Sequence, residues 1–414
     1  MEDPTRKLPR RVDGKLTDIV ISRDLALRSS KVVREPGHVL ALDGIRGLAI
    51  LAVLASHLLN SNNVSSYPAL QLLLDMRDML WVGVTLFFAL SGFLITGILF
   101  DTLGSERYFS TFFARRALRI FPLYYGVLFL LLILTRPLHF EWHGQAWRFL
   151  TYTINIPFTF EWVNVPSPFI NLRHFWSLAV EEQFYLLWPV VIYLLRSWKK
   201  VFAATLVGAG LSIAFRVAVA FKGWAPQNHT LFGCMDALLL GGTLALLVRS
   251  RFRDRALRWG APVFLAAIGL TLVEALSHTN FDWWSSTYLT TIGMTVLAVG
   301  TTALVAASLK PNSVTQKICS NSVLRFFGRY SYGLYVYHYS VDASLTMPIR
   351  QLVEGHGGPK FVAILSAAVL VGGISVVISV LSYHYFEAYF LKLKRYIPNP
   401  RHVRTEDLDS VAVP

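Results

Sequence analysis

Residues 42–57 read Leu-Asp-Gly-Ile-Arg-Gly-Leu-Ala-Ile-Leu-Ala-Val-Leu-Ala-Ser-His. The stretch is apolar enough to be a membrane-spanning helix, yet it carries Arg46 and His57, and ionisable side chains are expensive in hydrocarbon. Eleven helical steps of about 100° leave these two side chains about 20° apart around the axis and roughly 16 Å apart along it. Both therefore look down one face at different depths. A cation near the entry side and a candidate base deeper in, aligned on one stripe, point to a polar pathway into the membrane.

The rest of the chain has the same character. Its 414 residues are 54% hydrophobic and 15% charged, with a mean hydropathy of +0.47, too apolar for an ordinary soluble domain of this length. Apolar stretches long enough to cross ~30 Å of hydrocarbon recur at about 41–59, 79–100, 119–135, 177–195, 201–221, 230–248, 259–276, 286–308, 325–346 and 361–390. The expected fold is all-α: a polytopic membrane bundle of about ten transmembrane helices. Placing the N-terminus in the cytoplasm leaves about 30 of the 39 lysines and arginines inside and about 7 outside, the bias expected of a correctly oriented membrane protein. An even number of spans returns the C-terminus to the same side, where Lys392, Lys394, Arg395, Arg401 and Arg404 fall. The expected organisation is a polar cytoplasmic tail at 1–39, a transmembrane domain at 40–390 and a basic cytoplasmic tail at 391–414. No apolar run with a small-residue cleavage site precedes the first span, which serves as its own insertion signal. The net charge of +14 is explained by topology and anionic lipid, and no nucleic-acid partner is expected. Cys234 and Cys319 indicate neither a disulfide framework nor a thiolate metal site, and no metal is expected.

Three further segments carry polar chemistry into these spans. Phe-Ala-Arg115-Arg116-Ala-Leu-Arg119 precedes the third, with Arg116 and Arg119 on one helical face at the cytoplasmic boundary. They read either as positive-inside anchors or, with Arg46, as a clamp for an anionic ligand, since guanidinium forks match phosphate oxygens. The fourth span opens with Trp176-Ser177-Leu-Ala-Val-Glu181-Glu182-Gln183-Phe-Tyr185. The two carboxylates either complement a helix N-terminus or, at a depth matching His57, orient that histidine as a general base. The ninth span reads Arg329-Tyr-Ser331-Tyr-Gly333-Leu-Tyr335-Val-Tyr-His338, and His338 is a catalytic candidate or a hydrogen-bonding partner between helices. Asp236 and Glu387 read as structural partners of buried polar groups. The long connection at 136–176, with Trp142, Trp147, Trp162 and Trp176, reads as an interfacial aromatic belt or as a cap over an outward-facing sugar site. The paired small residues at Ser91-Gly92, Gly208-Ala-Gly210 and Gly241-Gly242 suit close helix packing, and no nucleotide-binding, serine-hydrolase or zincin motif is present.

Taken in order, Leu42-Asp-Gly-Ile-Arg46-Gly-Leu-Ala with His57, Phe87-Phe-Ala-Leu-Ser91-Gly-Phe-Leu-Ile, Arg116-Ala-Leu-Arg119, Trp176 to Tyr185, Ser331 to Tyr335 with His338, and the closing Tyr385-Phe-Glu387 resemble the acyltransferase 3 family of membrane O-acyltransferases. That family modifies sugars and cell-envelope polymers. The proline often found after the closing segment is replaced here by Ala388-Tyr389. The resemblance associates Arg46 and His57 with activity and Arg116 and Arg119 with the acyl donor; with the reading of the residues, the expected donor is acyl-CoA, acetyl-CoA in the first instance, held by Arg46, Arg116 and Arg119, and the catalytic candidates are His57 with Glu182 or Glu181, and His338. The acceptor would be a saccharide or glycoconjugate hydroxyl at the outer face of a bacterial-type cytoplasmic membrane. Transfer would run directly or through an acyl-enzyme. The competing reading is a transporter or exporter of a lipid-linked or acylated saccharide, which neither an inverted repeat nor a matched pair of broken spans supports.

Overall fold

The computed structural model describes residues 39–59, 76–138, 141–156, 170–224, 228–277 and 286–397. Regular structure among the described residues is helical throughout. Helix α1 is Leu40–Leu58. A 3-10 turn at Met76–Trp81 leads into α2, Val82–Asp101, and α3 is Tyr108–Ile133. A short α4, Ala146–Leu150, lies before α5, Phe175–Leu195, which α6, Trp198–Phe221, and α7, Leu231–Leu247, follow. Next come α8, Arg253–Ser277, then a π-turn at Leu289–Gly293 entering α9, Met294–Leu309, and a short α10, Val314–Cys319. The long α11, Ser322–Gly355, and α12, Lys360–Ser382, close the bundle, with a π-turn at Tyr383–Glu387 and a short α13, Ala388–Lys392, beyond it.

Each of the ten expected spans falls on a helix. Eight helical segments are long and apolar enough to cross a membrane, and the two others are α7, at 17 residues, and α11, at 34 residues with a strongly polar stripe. One boundary is corrected substantially. The third helix starts at Tyr108 and not near 119, so Arg116 and Arg119 lie within it, about 12 and 16 Å from its first residue along the axis, and not at its mouth. Hydropathy expels arginines from a span, but these two face an internal cavity with charged side chains in its lining and not the lipid, where the penalty for placing charge applies.

Small residues set the central crossings. A Cβ on Gly44 would collide with the carbonyl of Cys319, one on Gly47 with that of Leu324, and one on Gly328 with that of Asp43. Helix α1 therefore lies backbone to backbone on the start of α11, and any side chain at these sites would push Arg46 away from the interior. Gly92 and Gly241 do the same for the crossing of α2 on α7, against the carbonyls of Leu238 and Ala89. The outer faces of α5 and α12 expose Leu186, Leu187, Leu194, Val369 and Val377, surfaces suited to hydrocarbon.

Between α6, α7 and α9 a buried ion pair joins Arg216 to Asp236 at 2.8 Å. Its guanidinium also donates to the Thr291 carbonyl at 2.9 Å, the Gly233 carbonyl at 2.6 Å, Ser212 Oγ at 3.0 Å and Thr295 Oγ1 at 2.5 Å. The π-turn before α9 contains Thr291, and turns of this kind displace carbonyls from the regular helical ladder. Asp236 thus has the structural partner expected of it. Cys234 and Cys319 are buried free thiols.

Candidate active site

Arg46, Arg116, Arg119, Glu181 and Glu182 converge from α1, α3 and α5 on one cavity of about 100 Å³, which α2 and α11 complete. Arg46 pairs loosely with Asp43 at 3.6 Å, one turn earlier on α1. The guanidinium of Arg116 lies over the Tyr185 ring, 4.9 Å from its centroid, a cation–π contact, and the Tyr185 hydroxyl meets Ser91 Oγ at 2.5 Å. Arg119 is exposed to the cavity and makes no hydrogen bond or ion pair among the described residues. The three guanidinium groups lie close enough to repel one another, and Lys394, in the 3-10 turn at Leu393–Tyr396, and Arg115 on α3 add positive charge. Glu182 Oε1 is buried without a hydrogen-bond partner. An arrangement of mutually repelling, incompletely paired arginines around an open volume is suited to a polyanion.

The histidines form a second cluster. His57 Nδ1 lies 3.1 Å from His338 Nε2. His338 Nδ1 lies 2.9 Å from the carbonyl oxygens of both Leu334 and Tyr335. A carbonyl only accepts, so Nδ1 of His338 carries the hydrogen and, in the neutral ring, Nε2 carries the lone pair. His57 must then donate from Nδ1, which leaves its own Nε2 as a bare lone pair on a half-buried ring. His57 thus presents an unprotonated ring nitrogen, with its other nitrogen held against a second imidazole. Glu181 and Glu182 line the arginine cavity, while the side chain that meets His57 Nδ1 is His338.

The two clusters adjoin. Ser177 and Tyr335 line the cavity, and the Tyr335 ring is 5.8 Å from that of His338 and 5.3 Å from that of His174. Their hydroxyls bond to each other, and both reach the His174 carbonyl, Ser177 at 3.1 Å and Tyr335 at 3.0 Å. Gln183 has a tethering role: it exchanges amide hydrogen bonds with Asn155 at 3.1 and 2.7 Å and donates to the Tyr152 carbonyl at 2.8 Å, fixing the segment after α4 on α5. Of the four tryptophans, Trp176 is buried against Phe88 and Trp81, Trp142 donates to Thr135 Oγ1, Trp147 is exposed, and Trp162 lies outside the described residues. Among the described residues no group of three histidines, cysteines or carboxylates is placed to hold a metal ion.

The family model for the acyltransferase 3 domain matches residues 39–384, which takes in both clusters and every helix that builds them. The chain belongs to the acyltransferase 3 family. The resemblance carried by its motifs is borne out, and it is a multi-pass membrane protein of that family. It is similar to the peptidoglycan O-acetyltransferase OatA of Listeria monocytogenes, 29% identical over 336 residues, which cover 77% of this chain and 51% of that protein. It is also similar to the putative peptidoglycan O-acetyltransferase YrhL of Bacillus subtilis, 29% identical over 372 residues covering 84% of this chain and 54% of that one. The O-acetyltransferase OatA of Staphylococcus aureus is 28% identical over 337 residues, 74% of this chain and 51% of its own length. The chain spans about half the length of these curated relatives. No solved structure matches it. The sequence reading singled out Arg46, His57, Arg116, Arg119, Glu181, Glu182 and His338, which fall in these two clusters; it gave no separate role to Tyr335 and did not consider His174, which hydrogen bonds at the start of α5 set beside α11.

Proposed function

We propose that this protein is an O-acyltransferase that moves an acyl group, acetyl in the first instance, from a cytoplasmic acyl-CoA to a hydroxyl of a cell-envelope saccharide at the outer face of the membrane. In this reading 1–39 and 391–414 are cytoplasmic tails flanking a transmembrane domain at 40–390. The observation that carries it is the arginine cavity sharing its Ser177–Tyr335 wall with the His57–His338 pair. Arg46, Arg116 and Arg119 hold the phosphates of the donor, and the thioester extends towards that wall. His57 Nε2 removes the proton of the acceptor hydroxyl as its oxygen attacks the thioester carbonyl. The new C–O ester bond forms, the C–S bond breaks, and the proton held by His57 is returned to the departing thiolate. The names of the relatives support a peptidoglycan glycan as the acceptor.

Binding of acetyl-CoA to the detergent-purified protein, by calorimetry, tests the donor assignment. Wild type and His57→Ala are expected to bind alike, and the Arg116→Ala/Arg119→Ala double variant to bind at least tenfold more weakly. Equal binding by all three would remove the arginines from the donor site, and no binding by folded wild type would remove the donor.

A further inference from the structure

His174 immediately precedes α5 and is 3% exposed, yet neither ring nitrogen makes a hydrogen bond. The carbonyls of Tyr335 and Val336 lie near the ring without meeting hydrogen-bond geometry. Its centroid is 5.1 Å from that of His338 and 5.3 Å from that of Tyr339. A buried polar group left unpaired in a folded protein is destabilising, and its presence calls for a partner that the free protein lacks.

The surrounding donors are already committed. His338 spends its N–H on the Leu334 and Tyr335 carbonyls, and His57 spends its Nδ1–H on His338. The hydroxyls of Ser177 and Tyr335 are engaged with each other and with the His174 carbonyl. In this cluster it is the His174 ring whose nitrogens both lack a hydrogen bond of good geometry. In acyl transfer the group left to satisfy is the carbonyl oxygen, which becomes negative as the acceptor oxygen attacks, and a fixed N–H donor beside it lowers the barrier.

We infer that His174 is a catalytic residue that donates a hydrogen bond from its neutral imidazole to the thioester carbonyl oxygen, opposite the base His57. This rests on the acyltransferase reading of the site. No proton is transferred by His174: the C–O and C–S changes and the proton path through His57 are those given above, and His174 stabilises the oxyanion between them.

The test uses the full chain in detergent, acetyl-CoA as donor and peptidoglycan glycan fragments as acceptor, with release of free CoA as the readout. His174→Leu is expected to lower kcat about 10²–10³-fold, the usual effect of losing one oxyanion donor. Acetyl-CoA affinity should be unchanged, and the melting temperature unchanged or raised, because no hydrogen bond is lost. His174→Gln or His174→Asn, which restore an N–H, should recover at least tenfold of that loss. A kcat within threefold of wild type in His174→Leu would overturn the inference. So would a melting temperature lowered in both the leucine and glutamine variants, the mark of a structural role. Wild-type transfer is measured alongside: if wild type turns over and His174→Leu matches it, only this inference fails, whereas no transfer by folded wild type overturns the proposed function and this inference with it.

Discussion

Arg216 and Arg119 are both arginines within a membrane bundle, and the fold treats them in opposite ways. Arg216 has its carboxylate at 2.8 Å and four further acceptors drawn from α6, α7, the π-turn and α9. Arg119 has none among the described residues; Arg46 has a 3.6 Å contact with Asp43, and Arg116 has the Tyr185 ring, with the carboxylates of Glu181 and Glu182 on the same cavity. The desolvation of a guanidinium is offset at the first site by the protein itself, whereas Arg119 stays exposed to the cavity, open to an anion in the reading proposed above. The degree to which the protein itself satisfies the guanidinium thus separates the two arginines, a difference that hydropathy does not show.

The largest expected effect lies beside the unsatisfied site. His57→Ala should lower the rate of transfer by about 10³–10⁴-fold, the upper part of the range for loss of a general base, with melting temperature and acetyl-CoA affinity near wild type. His338→Ala should approach this loss, because it frees His57 to adopt the other tautomer. A rate within tenfold of wild type in His338→Ala would show that the second imidazole does not fix the first.

Arg216→Met tests the other half of the comparison. It leaves Asp236 buried and uncompensated and should cost about 3–5 kcal/mol of stability, read as a lowered unfolding midpoint. Arg216→Met/Asp236→Leu removes both charges and should recover most of that loss. Neither variant, where folded, should change acetyl-CoA affinity. A selective loss of donor binding would place the pair in the functional site and dissolve the contrast.

Much of this was legible in the chain. The period of α1 puts Arg46 and His57 on one face, and the arginine spacing in α3 puts Arg116 and Arg119 on another, so the two halves of the arginine cavity follow from 3.6-residue geometry. The ten spans follow from hydropathy, even for α7, which is only 17 residues long. What hydropathy and depth do not carry is azimuth and pairing. Glu181, Glu182 and His57 were matched by depth, but depth along the membrane normal says nothing about which helices are neighbours, and α5 turns its carboxylates towards α1 and α3 at the level of Arg46. His338 was visible as an intramembrane histidine, yet its role as the partner of His57 depends on the glycine contacts that seat α1 on α11. His174 left no signal, because an unpaired imidazole can be recognised only when every neighbouring donor has been accounted for.

The Arg116→Ala/Arg119→Ala variant should weaken acetyl-CoA binding by about 10–100-fold, about 1.4–2.8 kcal/mol in total, less than two isolated charge-assisted hydrogen bonds because the contacts are shared with solvent and the remaining arginine. The effect should shrink as ionic strength rises, since the cavity opens to screening ions. A loss of stability in this variant would break the comparison, for removing like charges that face one another should leave the fold as stable as before or more so.

The smallest expected effect has the sharpest sign. Glu182 places a carboxylate beside guanidinium groups that would hold phosphate, with Oε1 buried and unpaired. If the glutamate serves to balance the arginines until the donor arrives, it competes with the donor for them. Glu182→Gln keeps the shape and removes the charge, so acetyl-CoA should bind about two- to tenfold more tightly, the size of about 0.4–1.4 kcal/mol of relieved repulsion. If Glu182 instead oriented a catalytic group as the sequence reading first had it, the same change would lower kcat and leave affinity alone. Affinity rising with kcat retained assigns the carboxylate to the arginine cavity, and kcat falling with affinity fixed returns it to the histidines.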